Sequence, residues 1–225
     1  MIQNDIVSSW ACPPPPIAAS RVLRVHKYRD LSKIRPIITK AAEDACKSAL
    51  KLASPDARYV ILPIESLKMG RMSVSGGIEF QCGAFERHLS ECDYLVAFVM
   101  TIGPDLDDKV VSLVNEVFEP LEALFLETAG WLTIESATRQ FSQHLKHEFA
   151  GQGWDVSLRM GPGYEYPSPD GEGRVSWDLW QQKQLFEMFG DAELPVSLSQ
   201  MCAMSPKMSR SGVFGLTQKK QADVN

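Results

Sequence analysis

Tyr94-Leu95-Val96-Ala97-Phe98-Val99-Met100-Thr101-Ile102-Gly103-Pro104-Asp105-Leu106-Asp107 is the stretch that decides the fold. Residues 93–101 are β-branched and aromatic-rich without polar alternation, which predicts a strand covered on both faces in the middle of a sheet. Gly103-Pro104 ends it. Proline followed by Asp105 and Asp107 suits the first turn of a helix, where the macrodipole favours negative charge. Upstream, residues 33–53 set Ile38, Ala41, Ala45, Ala49 and Leu50 at helical spacing. Tyr59-Val60-Ile61-Leu62 reads as a strand, and Met72-Ser73-Val74 pairs with Ile78-Glu79-Phe80 in a hairpin around Gly76-Gly77. Residues 85–91 form a short helix. Downstream, residues 110–149 are helical with a break near Glu119-Pro120, because proline disfavours helix in the residue before it. Gly130, costing about 1 kcal/mol there relative to alanine, implies close packing or a ligand.

Residues 151–173 are loop-rich around a short strand, Val156-Ser157-Leu158. Residues 177–189 form a helix with Trp177, Trp180, Leu185, Phe186 and Phe189 as apolar positions. Val196-Ser197-Leu198 and Val213-Phe214-Gly215-Leu216 close the fold as strands. No regular βαβ rhythm appears, so the expected class is α+β, a largely antiparallel sheet flanked by helices. Pro13-Pro14-Pro15-Pro16 makes residues 1–16 an extended, Pro-rich arm, since proline fixes φ and donates no main-chain hydrogen bond. Residues 17–217 are one domain, and polar residues 218–225 a flexible tail.

Composition excludes several classes. A net charge of −5 gives no basic footprint for nucleic acid. The longest apolar run falls far short of the roughly 20 residues that span a bilayer, so no membrane association is expected. Met1-Ile2-Gln3-Asn4-Asp5 lacks the basic region and apolar core of an export signal, and the expected location is cytoplasmic. The five cysteines are odd in number and never spaced CxxC, which argues against a disulfide framework or zinc ribbon. Gly70, Gly76 and Gly77 do not make a dinucleotide-binding turn, and Gly161-Pro162-Gly163 lacks the Lys-Ser/Thr of a P-loop. His144 and His147, three apart on a predicted helix, lack an assigned third metal ligand. Cys82 and Cys92 lack a recognisable base beyond His88.

The chemistry-bearing segment is Arg159-Met160-Gly161-Pro162-Gly163-Tyr164, followed by Met204-Ser205-Pro206-Lys207-Met208-Ser209-Arg210-Ser211-Gly212. Arg159 offers a planar donor fork for a carboxylate or phosphate. Gly161 and Gly163 let backbone approach a ligand, and Tyr164 covers an apolar or π face. These parts suit a small zwitterion carrying a flat heterocycle. The plainer reading is an arginine beside a surface turn.

These elements, in this order, resemble the activation (reactivation) domain of cobalamin-dependent methionine synthase. The likeness runs through the strand with its Thr101-Ile102-Gly103-Pro104 turn, Ala129-Gly130 and Glu135 on the long helix, and the Arg159–Tyr164 loop. It continues through Gln182-Lys183-Gln184-Leu185-Phe186 and the Ser-Pro…Ser-Gly segment, covering roughly residues 17–216. The closest likeness is to short, stand-alone members lacking the folate, homocysteine and cobalamin modules. The resemblance implies reductive reactivation in methionine biosynthesis: an unfavourable one-electron reduction of cob(II)alamin is drawn forward by methyl transfer from S-adenosylmethionine. It implies S-adenosylmethionine bound here and cobalamin held by a partner, either a cobalamin-binding protein or a methionine synthase module. A flavodoxin- or ferredoxin-type protein would supply the electron. The arrangement is that of a split, multi-chain enzyme, in which this chain positions the methyl group and contributes no catalytic side chain or metal.

By the same resemblance Arg159 takes the methionyl carboxylate, Gly161 and Gly163 offer backbone groups, and Tyr164 packs on the ligand. Glu135 meets the ammonium or ribose hydroxyls, and Ser209 and Ser211 add polar contacts. Glu135 also reads as a solvated helix-face charge, and the serines as turn residues. After Tyr164 the chain departs from the family's Pro-Ala-Cys-Pro-type continuation, reading Glu165-Tyr166-Pro167-Ser168-Pro169-Asp170. The other functional classes are a non-enzymatic docking partner for a corrinoid protein and a reactivator of another corrinoid methyltransferase system.

Overall fold

The apolar run becomes the middle strand of an antiparallel sheet in the structure, a computed structural model describing residues 6–219. In chain order the first half holds β1 (Ser8–Ala11), α1 (Ala19–Val25), α2 (Pro36–Leu52), β2 (Asp56–Lys68), β3 (Arg71–Val74), β4 (Ile78–Gln81), α3 (Phe85–Leu89) and β5 (Tyr94–Thr101). Then come α4 (Asp105–Asn115), α5 (Pro120–Ala150), β6 (Trp154–Val156), β7 (Glu165–Pro167), β8 (Arg174–Ser176), α6 (Gln182–Glu187), β9 (Ser197–Leu198), β10 (Met204–Ser205) and β11 (Ser209–Gln218). The main sheet runs β4-β3-β2-β5-β11-β6, with β1 added beside β2. Its neighbours all pair antiparallel. The architecture is mixed α+β, as the sequence predicts.

β5 explains the two-sided core. Val96, Phe98 and Met100 face the helical layer and join Phe141 and Leu145 of α5. Leu95, Ala97 and Val99 face the other way, onto Met160, Trp177 and Leu185. β11 repeats the alternation, Phe214 going to the first core and Val213 to the second. Burying each of the larger side chains contributes about 1.5–3 kcal/mol, so a polar residue between Leu95 and Met100 would be expensive. β2 is long enough to serve two neighbours: residues 56–63 pair with β5, and a register shift between Ile64 and Ser66 hands the strand to β3. Gly130 answers to packing, for a Cβ there would lie 2.8 Å from Leu106 Cδ2 where α4 crosses α5.

The structure corrects several boundaries. The strand expected at Val156-Ser157-Leu158 is Trp154–Val156, with Ser157 continuing the contact to Gly215 O at 2.9 Å. The helix expected over 177–189 shortens to Gln182–Glu187, preceded by a 3-10 turn at Leu179–Gln181 that Asp178 caps. Trp177 is fully buried, but Trp180 is exposed and not a core position. The last strand starts at Ser209, four residues earlier than expected, because Ser209–Leu216 pair along the whole of β5. The hairpin β7–β8 leaves no readable sequence pattern, since its three-residue strands contain or flank prolines and glycines. The Pro-rich arm contributes β1. Of the predicted tail, Gln218 closes β11 and residues 220–225 lie outside the described residues, as do residues 1–5 of the arm.

Candidate functional site

The site is built where the chain after β6 stays alongside β11. Met160 N donates to Val213 O at 2.9 Å, and Val213 N returns a bond to Met160 O at 2.7 Å. This bridge puts Arg159 beside Ser211. The Arg159 Nη1 group donates to Ser211 O at 3.1 Å. The guanidinium carbon lies 4.5 Å from the centre of the Tyr164 ring, a cation–π contact. Among the described residues no carboxylate pairs with Arg159, so its remaining donors are left for a ligand. Tyr164 is 43% exposed and carries the stack at the surface.

The Gly-Pro-Gly turn is held from behind. Gly161 N donates to Tyr166 Oη at 2.7 Å, and that hydroxyl donates to Gly161 O at 3.1 Å. Burial pushes the Tyr166 hydroxyl's pKa up, keeping it a neutral donor. Gly163 N donates to Trp177 O at 2.7 Å. Both glycine N–H groups are therefore spent inside the chain, and the two residues serve mainly by lacking side chains. A Cβ on Gly161 would come within 2.9 Å of Arg159 Nη1 and 3.1 Å of Ser211 O. Gly163 sits at φ +82°, where a side chain is strained.

Ser209 and Ser211 are strand residues and both buried. Ser209 Oγ donates to Pro206 O at 2.6 Å, closing the turn before β11. That turn is anchored by α4: Asp107 Oδ2 accepts from Lys207 N at 2.5 Å and Met208 N at 3.4 Å. Burial raises the Asp107 carboxyl's pKa, with the two N–H groups and Lys207 opposing, and its Oδ1 is buried without a partner. Lys207 also pairs with Glu127 of α5.

Two clefts adjoin this framework. One, of about 320 Å³, sets Trp131, Pro162, Leu179 and Met204 around the edge of β11 at Arg210. The other, of about 210 Å³, holds Glu135, Arg139, Lys146, Arg159 and Arg210 against Leu158 and Phe214. The structure brings Gly163, Tyr164, Ser209 and Ser211 to the first cleft and Glu135 and Arg159 to the second, while Gly161 lines neither. Glu135 shares the second cleft but bonds to Arg139 at 3.3 Å on the helix surface. A larger groove of about 460 Å³ near Val60, Leu62 and Phe189 contains none of the motif residues.

The residues of the site that escape a sequence reading include Trp131, Leu179, the brace Tyr166 and Arg210. Arg210 stands between the two predicted serines. Its signal is a charge at the parity of Phe214, on a strand whose neighbours are core. His144 Nε2 lies 3.2 Å from Glu148, and among the described residues no three His, Cys, Asp or Glu side chains are grouped to hold a metal. Among them, too, no helix is long and apolar enough to cross a membrane.

The first cleft combines aromatic and apolar walls with main-chain edges, and the second collects cations. Together they can take a flat ring system joined to an anionic end. No family model and no curated protein matches this chain. Among solved structures, the crystal structure of the MetH reactivation domain bound to AdoHcy is similar over 96% of this chain and 80% of its own. The TM-score is 0.62 and the identity 12%, a likeness of fold.

Proposed function

We propose that this protein binds S-adenosylmethionine across the two clefts and presents its methyl group to cob(I)alamin carried by a partner protein. On this reading it serves reductive reactivation of a cobalamin-dependent methionine synthase whose other modules are separate chains. The observation that carries the proposal is the Arg159–Tyr164 stack at 4.5 Å, with no internal carboxylate on the guanidinium among the described residues. Its setting supports the reading: the fold is similar to that of a reactivation domain whose structure was solved with AdoHcy.

The residues divide the ligand between them. Arg159 holds the carboxylate through its free donors. Trp131, Tyr164 and Leu179 offer apolar and π surface to the adenosine, and Glu135 offers a carboxylate to the ammonium. The chain supplies position, since transfer of the methyl from sulfonium to reduced cobalt leaves a neutral thioether and needs no protein base. An electron donor of the flavodoxin or ferredoxin class would supply the preceding reduction. The site must be reachable by a second protein. Leu158, Leu179, Trp180 and Met201 are exposed large apolar side chains on its surroundings, which fits a docking face.

Isothermal titration with S-adenosylmethionine and AdoHcy tests the proposal. Saturable binding is expected, lost in Arg159→Ala and strongly weakened in Arg159→Lys, because an ammonium cannot reproduce the fork. Equal affinity in Arg159→Lys and the parent would remove the carboxylate assignment. Reconstitution with a cobalamin-binding partner, an electron donor and S-adenosylmethionine should then restore methylcobalamin, followed by its absorption spectrum. A stable corrinoid-protein complex without nucleoside binding would favour the docking role instead.

A further inference from the structure

We propose that Arg210 is the second guanidinium of a two-arginine carboxylate seat, and that it gives the site its preference for ligands with an amino-acid end. The inference rests on the nucleoside reading above and assigns a residue that the motif does not.

Arg210 lies in β11 between Ser209 and Ser211, and the strand's alternation turns it to the face that also carries Phe214, toward α5. It lines both clefts, and so sits where the ring-binding and charged ends of the site meet. Its side chain is half-buried, and no hydrogen bond or ion pair joins it to any described residue. The charged groups around it are Arg159 and Arg139, which repel it, and Glu135, which favours its charge; Tyr164 is the neighbouring phenol. Glu135 is already engaged by Arg139 at 3.3 Å. The small cleft therefore sets four cations, Arg139, Lys146, Arg159 and Arg210, against the one carboxylate of Glu135.

A guanidinium stays charged even when desolvated, so Arg210 is an uncompensated cation beside like charges. An arriving anion relieves that cost. Arg159 gives one of its five N–H donors to Ser211 O, and a carboxylate held by its remaining donors keeps lone pairs for a second guanidinium. A carboxylate has two oxygens and about four acceptor positions, enough for both arginines.

The test compares the wild type with Arg210→Met, which keeps an unbranched apolar stem and removes the charge. Each protein is titrated with AdoHcy and with 5′-methylthioadenosine, which shares the nucleoside and thioether but lacks the amino-acid end. For AdoHcy the variant should bind roughly 10- to 100-fold more weakly. Methylthioadenosine affinity should change less than about twofold, and the melting temperature of the ligand-free variant should rise, since an unpaired, half-buried charge is gone. Arg210→Lys should lose part of the AdoHcy affinity without that thermal gain. Unchanged AdoHcy binding in Arg210→Met, or equal weakening of both ligands, overturns the seat while leaving the nucleoside site intact. A wild type that binds neither ligand overturns the nucleoside reading, and the seat with it.

Discussion

The two walls of the site are made differently. The β wall, residues 157–164 against β11, is held by main-chain bonds: Ser157 to Gly215, Met160 to Val213 in both directions, and Gly163 to Trp177. The α5 wall consists of long side chains in solvent, with Glu135 and Arg139 paired at 43% and 57% side-chain exposure. Exposed helix pairs of that kind contribute about 0.3–0.5 kcal/mol. The β wall fixes where groups are, whereas the α5 wall supplies charge whose position can adapt. Changes behind the β wall should therefore disturb binding more than their distance from a ligand suggests.

Gly161→Ala should break this contrast most severely. The new methyl enters between Arg159 Nη1 and Ser211 O, at 2.9 and 3.1 Å, and only the guanidinium can move away. Overpacking of this kind costs about 1–3 kcal/mol of stability. Titration should show loss of AdoHcy binding while circular dichroism shows the fold intact. If binding survives, the orientation of Arg159 is not set by the β wall.

Tyr166→Phe should come next. Its hydroxyl both accepts from Gly161 N and donates to Gly161 O. Removing it leaves a buried N–H unpaired, a cost of about 1–3 kcal/mol. Thermal melting should show the loss, and AdoHcy affinity should fall severalfold as the turn loosens. A stability loss without any change in affinity would make Tyr166 a core support alone.

The same division explains what the sequence could disclose. β5, α2 and the β3–β4 hairpin are legible because each is written in a local pattern: a continuous apolar run, a helical spacing, a Gly-Gly turn. Arg159 to Tyr164 is legible as a cluster of residue types within one short loop. Arg210 is not, because its meaning depends on which face of β11 it occupies and on α5 across the cleft. Tyr166 is not either, since a tyrosine in a Pro-rich stretch gives no sign that its hydroxyl returns to Gly161. Trp177 and Trp180 share a residue type and a neighbourhood in sequence, yet one is buried against Phe80 and Phe85 and the other exposed. Tertiary packing decides between them.

The smallest effect is expected one layer further back, at Asp107, which pins the turn before β11 through Lys207 N and Met208 N. Burial holds its folded-state pKa above the ordinary carboxylate value. The folded protein therefore takes up a proton more readily than the unfolded chain, and the charged carboxylate is a liability above the folded pKa. As pH falls through that value toward the unfolded one, the liability is relieved. In Asp107→Asn the side-chain amide oxygen could still accept both N–H bonds without carrying charge. Melting temperatures of Asp107→Asn and the parent, compared from neutral pH downward, should differ most at neutral pH in the variant's favour and converge on acidification. A gap in the parent's favour at neutral pH, closing toward acid, would mean that the two N–H bonds and Lys207 outweigh burial. Asp107 would then belong with the charged, adaptable α5 wall rather than with the packed brace behind the β wall.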